Sequence, residues 1–124
     1  MDKKSIYNDT SVTELYKCDF NKKKVNHKEF EKMNGLITFY APWCKHCINM
    51  KDMWENLACT FKNQFVIAAV NVEDIDRDNG KLLKTFNISK YPTIKYVTKT
   101  GSVVKFDGIK NYDDLVYFIW NKIK

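Results

Sequence analysis

Apolar positions along the chain recur with two periods. Residues 36–40 (Leu-Ile-Thr-Phe-Tyr) and 65–72 (Phe-Val-Ile-Ala-Ala-Val-Asn-Val) are short, nearly continuous apolar runs rich in β-branched and aromatic residues. Runs of that length and composition predict buried strands, the first of them central. Between them Cys47, Met50, Trp54, Leu57, Ala58 and Phe61 recur at spacings of three and four. That period predicts a helix running to about Phe61, with these residues facing the core. Lys51, Asp52, Glu55 and Lys62 fall on its other side, and Cys59 falls off the apolar stripe.

The flanking segments fill in an α/β order. Residues 1–11 are polar and predict a flexible N-terminal segment. Residues 12–18 contain the β-formers Val12, Thr13 and Tyr16 and predict a first strand, followed by a solvated connection at 22–24. Asn26 with Glu29 three residues on reads as a capping box, and Val25 with Phe30 as a hydrophobic staple, for a short helix ended by Asn34-Gly35. After an acidic turn at 73–78, Leu82, Leu83 and Phe86 mark another short helix. Pro92 has no N–H to give to a sheet ladder and belongs at the entry of a strand at 93–98. Lys99-Thr100-Gly101 turns that strand into an antiparallel partner at 102–106. Asn111, with Asp113 and Asp114 in the first turn, opens a last helix whose inner face is Leu115, Phe118, Ile119 and Ile123. The expected order is β-α-β-α-β-α-β-β-α in one domain spanning 12–124.

Composition narrows the function classes. A chain of 124 residues that is 44% hydrophobic can bury a single core. No apolar run approaches the ~20 residues of a membrane-spanning helix. The net charge of +6 comes from lysines spread among acidic neighbours, with Arg77 the sole arginine, so specific nucleic-acid binding is not expected. Residues 22–24 are the only local basic run and lack interleaved aromatics. Four cysteines are too few for a secreted disulfide scaffold. Cys18 and Cys59 stand alone, with only His27 and His46 as further ligand candidates, so no metal site is expected.

The chemistry concentrates where the first apolar run meets the long helix. Phe39-Tyr40-Ala41-Pro42-Trp43-Cys44-Lys45-His46-Cys47 places a Cys-x-x-Cys at a strand-to-helix junction. Two cysteines three apart on a first helical turn are close enough to form a small disulfide ring. The first sulfur also lies beside unpaired backbone N–H groups and the positive end of the helix dipole. That setting favours a thiolate, the attacking species in thiol–disulfide exchange. Lys45 and His46 add donors and positive charge on the same turn.

This run, together with Tyr91-Pro92 downstream, resembles the active-site segment of thioredoxin-fold proteins, most nearly the catalytic domains of protein disulfide isomerases. The resemblance covers roughly residues 12–123 and implies a thioredoxin fold, a central mixed sheet with helices on both faces. It implies that Cys44 is the exposed nucleophile and Cys47 the buried resolving thiol, working through a mixed disulfide. It further implies that Trp43 shields the pair, that Pro92 is cis, and that Tyr91 and Pro92 offer backbone groups to an extended substrate. No cofactor is implied beyond the redox-active disulfide itself. Thioredoxin-like reductants carry Gly-Pro between the cysteines and isomerase domains Gly-His; here Lys45-His46 keeps the His and replaces Gly with a cation. Both residues tune the pair towards a stabilised reduced form, hence towards oxidation or isomerisation. Three departures stand out. Thr38 occupies the place of a buried carboxylate and Ala69 that of its lysine partner, Lys110 replaces an arginine that also tunes the site, and Asp52 replaces a helix-kinking proline.

The leading reading is therefore an enzyme, a thiol–disulfide oxidoreductase that oxidises, isomerises or reduces protein disulfides with Cys44 and Cys47. Its expected partners are protein substrates bearing thiols or disulfides and an electron donor or acceptor, with no membrane and the chain a monomer. A thioredoxin-fold interaction module with little turnover is the alternative. The opening residues show no apolar signal-peptide core. A cytoplasmic location follows as the expectation, with an oxidising lumen or a virus particle also compatible.

Overall fold

A computed structural model of the chain describes residues 4–108 and 110–124. Among the described residues there are seven strands and three α-helices: β1 (Thr13–Glu14), β2 (Phe20–Asn21), β3 (Lys24–Val25), β4 (Gly35–Tyr40), β5 (Val66–Asn71), β6 (Thr93–Val97), β7 (Val103–Lys105), α1 (Lys45–Thr60), α2 (Lys81–Thr85) and α3 (Tyr112–Ile123). The main sheet has the order β1-β5-β4-β6-β7. The β1–β5 and β4–β5 pairs are parallel, whereas β4–β6 and β6–β7 are antiparallel. This is the mixed α/β sheet expected from the sequence, with β4 at its centre.

Every residue of β4 and β5 is buried, which is why both read as continuous apolar runs rather than alternating ones. Phe39, on one face of β4, meets Phe86 after α2 at a ring separation of 5.8 Å; Tyr40 points the other way and meets Tyr7 edge-on at 5.3 Å. The α1 helix buries the predicted stripe, Cys47, Met50, Trp54, Leu57 and Ala58. Its Trp54 Nε1 donates to the Ala68 carbonyl at 2.9 Å, tying helix to β5. The α3 helix buries Leu115 and Ile119, half-buries Phe118 and Ile123, and brings Trp120 edge-on to Phe61 at 5.7 Å. Asn111 caps it as predicted, accepting the Asp114 N–H at 2.9 Å. Between β6 and β7 the chain turns at Gly101, where φ is +88° and a Cβ would collide with the Val25 carbonyl. Its own carbonyl takes the Val25 N–H at 2.8 Å, so no other residue suits that turn.

The N-terminal third departs from the sequence reading. The first strand is only Thr13–Glu14, not 12–18, because the chain is pulled aside at Tyr16. The Asp19 carboxylate accepts the Tyr16 N–H at 2.9 Å and Asn79 Oδ1 accepts the Lys17 N–H at 2.8 Å, turning Lys17–Asp19 into a 3₁₀ turn. The connection expected at 22–24 is shorter, a tight Lys22–Lys23 turn of a β2–β3 hairpin with Lys22 at φ 58° and Lys24 already paired in β3. The expected α-helix from Asn26 is a single 3₁₀ turn, Lys28–Glu31, capped by the His27 ring rather than by Asn26. Asn26 is tied by its N–H to the Asp19 carbonyl, His27 after it is extended, and the Glu29 carboxylate takes the Thr13 hydroxyl at 2.7 Å instead of closing a capping box. Of the N-terminal segment expected to be flexible, residues 1–3 lie outside the described residues. The remainder is anchored: Tyr7 is 1% exposed, and Ser5 Oγ lies 3.0 Å from the Tyr40 hydroxyl.

Thr38 sits mid-way along β4, in register with Ala69 on β5, and both are buried. Its hydroxyl is the one buried side-chain oxygen or nitrogen without a hydrogen-bond partner among the described residues. A buried hydroxyl without a partner costs about 1–3 kcal/mol. Thr38→Val, which keeps the shape and removes the oxygen, should leave stability unchanged or raise it by about 1 kcal/mol in urea unfolding. A clear loss of stability would mean that the hydroxyl is bonded in solution.

Candidate active site

The site is built where β4 ends. After Tyr40 the chain turns through Ala41-Pro42-Trp43, and Cys44 adopts an extended conformation (φ −77°, ψ 119°) as the N-cap of α1. Its N–H closes the turn onto the Ala41 carbonyl at 3.0 Å, and its carbonyl starts the helix by accepting the Ile48 N–H. Cys44 Sγ then accepts the N–H of Cys47 at 3.3 Å. A sulfur thus does what a serine or aspartate oxygen does at ordinary caps, satisfying a first-turn donor and lying in the field of the helix N-terminus. Both cysteines are free thiols.

The two sulfurs differ in surroundings. Cys47 is 1% exposed and Cys44 8%, so the expected exposed nucleophile is more covered than the sequence suggested. What covers it is the loop before β6: the Tyr91–Pro92 bond is cis, as expected, and the Tyr91 carbonyl accepts from the Cys44 thiol at 3.8 Å. Trp43 stands half exposed beside the pair, edge-on to Tyr91 at 6.0 Å. Its Nε1 donates to Glu73 at 2.6 Å. Burial first, and then the hydrogen bond with Cys44, push the Cys47 thiol up to about 12. Burial also holds the Tyr7 phenol well above its ordinary value, with Tyr40, Cys47 and Glu55 nearby adding to the effect.

Of the other residues singled out by sequence, His46, Tyr91, Pro92 and Lys110 converge on one groove of about 470 Å³. Lys110 lies on its rim, donating to the Pro92 carbonyl at 3.2 Å. Lys45 is exposed on the first turn of α1 and does not line the groove. The α1 helix runs unbroken through Asp52. Cys18 and Cys59 are exposed, the latter as expected. Among the described residues no group of three His, Cys, Asp or Glu is placed to hold a metal, and no helix is long and apolar enough to cross a membrane.

Sequence reasoning missed Glu73, Asn49, Met53 and Lys90. Glu73 had a findable signal. Parallel pairing of β4 and β5 sets Tyr40 opposite Asn71, so the loops that follow emerge side by side. An acidic turn directly after the second strand therefore belongs beside the cysteines. That turn is held by Asn79, which is 0% exposed and donates to the Asn71 carbonyl at 2.9 Å, and by Asn71 Oδ1, which accepts the Glu73 N–H at 3.0 Å.

The elevated Cys47 thiol has a consequence for stability. An unfolded chain gives up this proton near the ordinary value of 9.0, the folded chain only near 12. The folded state's advantage is therefore complete below about pH 9 and is lost as pH rises towards 12, at about 1.4 kcal/mol per unit. Between pH 9 and 10 the reduced protein should lose about 1 kcal/mol more than Cys47→Ala in urea unfolding. Parallel profiles for the two would contradict the burial of this thiol.

Comparison with known proteins agrees with this geometry. The thioredoxin family profile matches residues 11–121. Protein disulfide-isomerase 1 of Dictyostelium discoideum is 36% identical over 92 residues, 72% of this chain and 25% of that protein. A thioredoxin domain-containing protein of Theileria parva is 39% identical over 95 residues, 68% of this chain and 40% of that one. The solution structure of the first thioredoxin domain of mouse protein disulfide-isomerase A4 superposes with a TM-score of 0.70 at 26% identity, covering 98% of this chain and 86% of that domain. The chain spans about a quarter of the length of the Dictyostelium isomerase it matches. With the profile match running through β4, the Cys44–Cys47 turn and the cis-proline loop, the chain belongs to the thioredoxin family.

Proposed function

We propose that Cys44 and Cys47 form a redox-active pair that exchanges with protein thiols and disulfides. The observation that carries this reading is the cap geometry: one sulfur accepts a helix-start N–H while its neighbour three residues on is sealed beneath it. In the oxidising direction a substrate thiolate attacks Cys44 Sγ, the Cys44–Cys47 bond breaks, and Cys47 leaves as a thiolate that takes a proton from solvent. A second substrate thiolate then attacks the substrate sulfur of the mixed disulfide, releasing Cys44. Two electrons pass from substrate to the pair, and the cysteines need no further cofactor to carry them. In the reducing direction Cys44 attacks a substrate disulfide and Cys47 resolves the mixed disulfide.

Resolution by Cys47 is the demanding step, since burial, the largest cause of its raised pKa, persists in the mixed disulfide and the thiol must lose its proton first. Thr38 and Ala69, both buried and uncharged, supply no base in the strands beneath. A long-lived mixed disulfide suits isomerisation, because the substrate has time to rearrange. Lys45 and His46, exposed on the first turn, favour the reduced form and so also lean the pair towards oxidation and isomerisation. Substrates are proteins bearing thiols or disulfides; an electron donor or acceptor completes the cycle.

The test is the reduction potential of the pair in a glutathione buffer, followed by mass of the alkylated protein. The wild type should titrate as one two-electron couple, and His46→Pro should fall by about 30 mV or more, tenfold in equilibrium constant. A potential that rises or stays put in His46→Pro would contradict the electrostatic part of the account. A pair that does not titrate at all would favour an interaction module without turnover.

A further inference from the structure

The groove beside the cysteines carries a charge pattern that the exchange chemistry itself does not use. Its floor is apolar, made by Met50, Met53 and Tyr91, while His46, Lys90 and Lys110 stand around it. Among the described residues no carboxylate lines it. Asp113 and Asp114 follow Lys110 in the first turn of α3, and Asp114 is occupied by Asn111 through two hydrogen bonds. Lys110 spends one donor on the Pro92 carbonyl at 3.2 Å and remains exposed, with its charge and further donors available. Beyond Trp43 the sign reverses. Glu73 holds the indole N–H at 2.6 Å, and the turn that follows stays acidic on balance, with Asp74 and Asp76 against Arg77 and with Asp78 paired to Lys81 at 2.8 Å.

Resting on the exchange reading above, we propose that this groove selects protein thiols and disulfides in acidic surroundings. Its occupant is an extended peptide with Asp or Glu on the groove side of the reacting cysteine. The argument is charge complementarity on an apolar floor. Two methionines accommodate varied side chains without specifying them, so shape selects little and charge selects more. The surrounding cations are exposed and act mainly on encounter, an effect that salt screens over about 8–10 Å. The acidic turn past Trp43 repels the same flank and so sets which way round the peptide lies.

The experiment uses the oxidised protein and three synthetic dithiol peptides, identical except for two flanking positions that are Glu, Gln or Lys. Stopped-flow tryptophan fluorescence follows reduction of the Cys44–Cys47 disulfide as each peptide is oxidised. At low salt the Glu peptide should react at least about threefold faster than the Gln peptide, and the Lys peptide slower than both. The ranking should collapse as salt is raised and reverse in the double variant Lys90→Glu/Lys110→Glu. Equal rates for the three peptides, or a ranking that the charge reversal leaves intact, would overturn the charge selection while leaving the exchange reading standing. Exchange with none of them would remove the exchange reading. In that case NMR titration with the same peptides carrying Ser for Cys decides the selection alone. Amide shifts at Lys90 and Tyr91 with the Glu peptide only would support it, and equal or absent shifts would overturn it.

Discussion

When β4 leaves the sheet at Tyr40, the chain must turn and begin α1 within a few residues, and Cys44 closes that turn with its own sulfur. The cap bond from the Cys47 N–H to Cys44 Sγ, 3.3 Å long, fixes both cysteines at once. It holds one sulfur at the positive end of a 16-residue helix and leaves the other one turn inside, under the core. The position is only as firm as what lies beneath it. A β4 buried on both faces, flanked by β5 and β6, cannot shift by one residue without sending every side chain to the opposite face and breaking the packing on each, Phe39 against Phe86 and Tyr40 against Tyr7. Trp54, bonded to the Ala68 carbonyl, does the same for the helix.

The chemical character of the site follows from what that frame includes and omits. The strands beneath the cysteines hold a threonine in register with an alanine, with no charge at either position. An uncharged pair avoids the cost of a lone buried ion, which runs to about 3–5 kcal/mol when a partner is missing. The consequence is carried by Cys47, whose proton has no nearby carboxylate to leave to from that direction. Charge stands instead at the rim, where Lys90 and Lys110 flank the groove beside His46 and Glu73 stands behind Trp43. Exposed charges of this kind contribute little to stability and more to which partners approach.

The parts legible in the sequence are those whose burial is periodic. β4, β5, α1 and α3 each bury a run or stripe that the chain displays directly, and the cysteine pair is found because the strand and the helix meet there. Capping at Asn111 was legible for the same reason, being a contact across three residues. The N-terminal third was not, because its boundaries are set by distant partners. The strand stops at Glu14 where Asn79, far along the chain, takes the Lys17 N–H, and the helix expected from Asn26 shrinks because the Asp19 carbonyl takes the Asn26 N–H. Tyr7 read as part of a polar lead-in and is instead a core residue, since its place beside Tyr40 depends on how the sheet folds back. Lys110 was legible as a cation near the site, but its seat on the Pro92 carbonyl is a tertiary fact.

The central claim is that Cys44 forms the covalent link to substrate and Cys47 breaks it. It is tested most directly by trapping. Reduced Cys47→Ser and Cys44→Ser variants are mixed with a disulfide-bonded protein substrate, quenched with acid, and analysed by mass spectrometry after proteolysis. The account predicts that Cys47→Ser accumulates a mixed disulfide mapped to Cys44, whereas Cys44→Ser accumulates none at Cys47. Trapping at Cys47 in Cys44→Ser, or no trapping at Cys44 in Cys47→Ser, would contradict it.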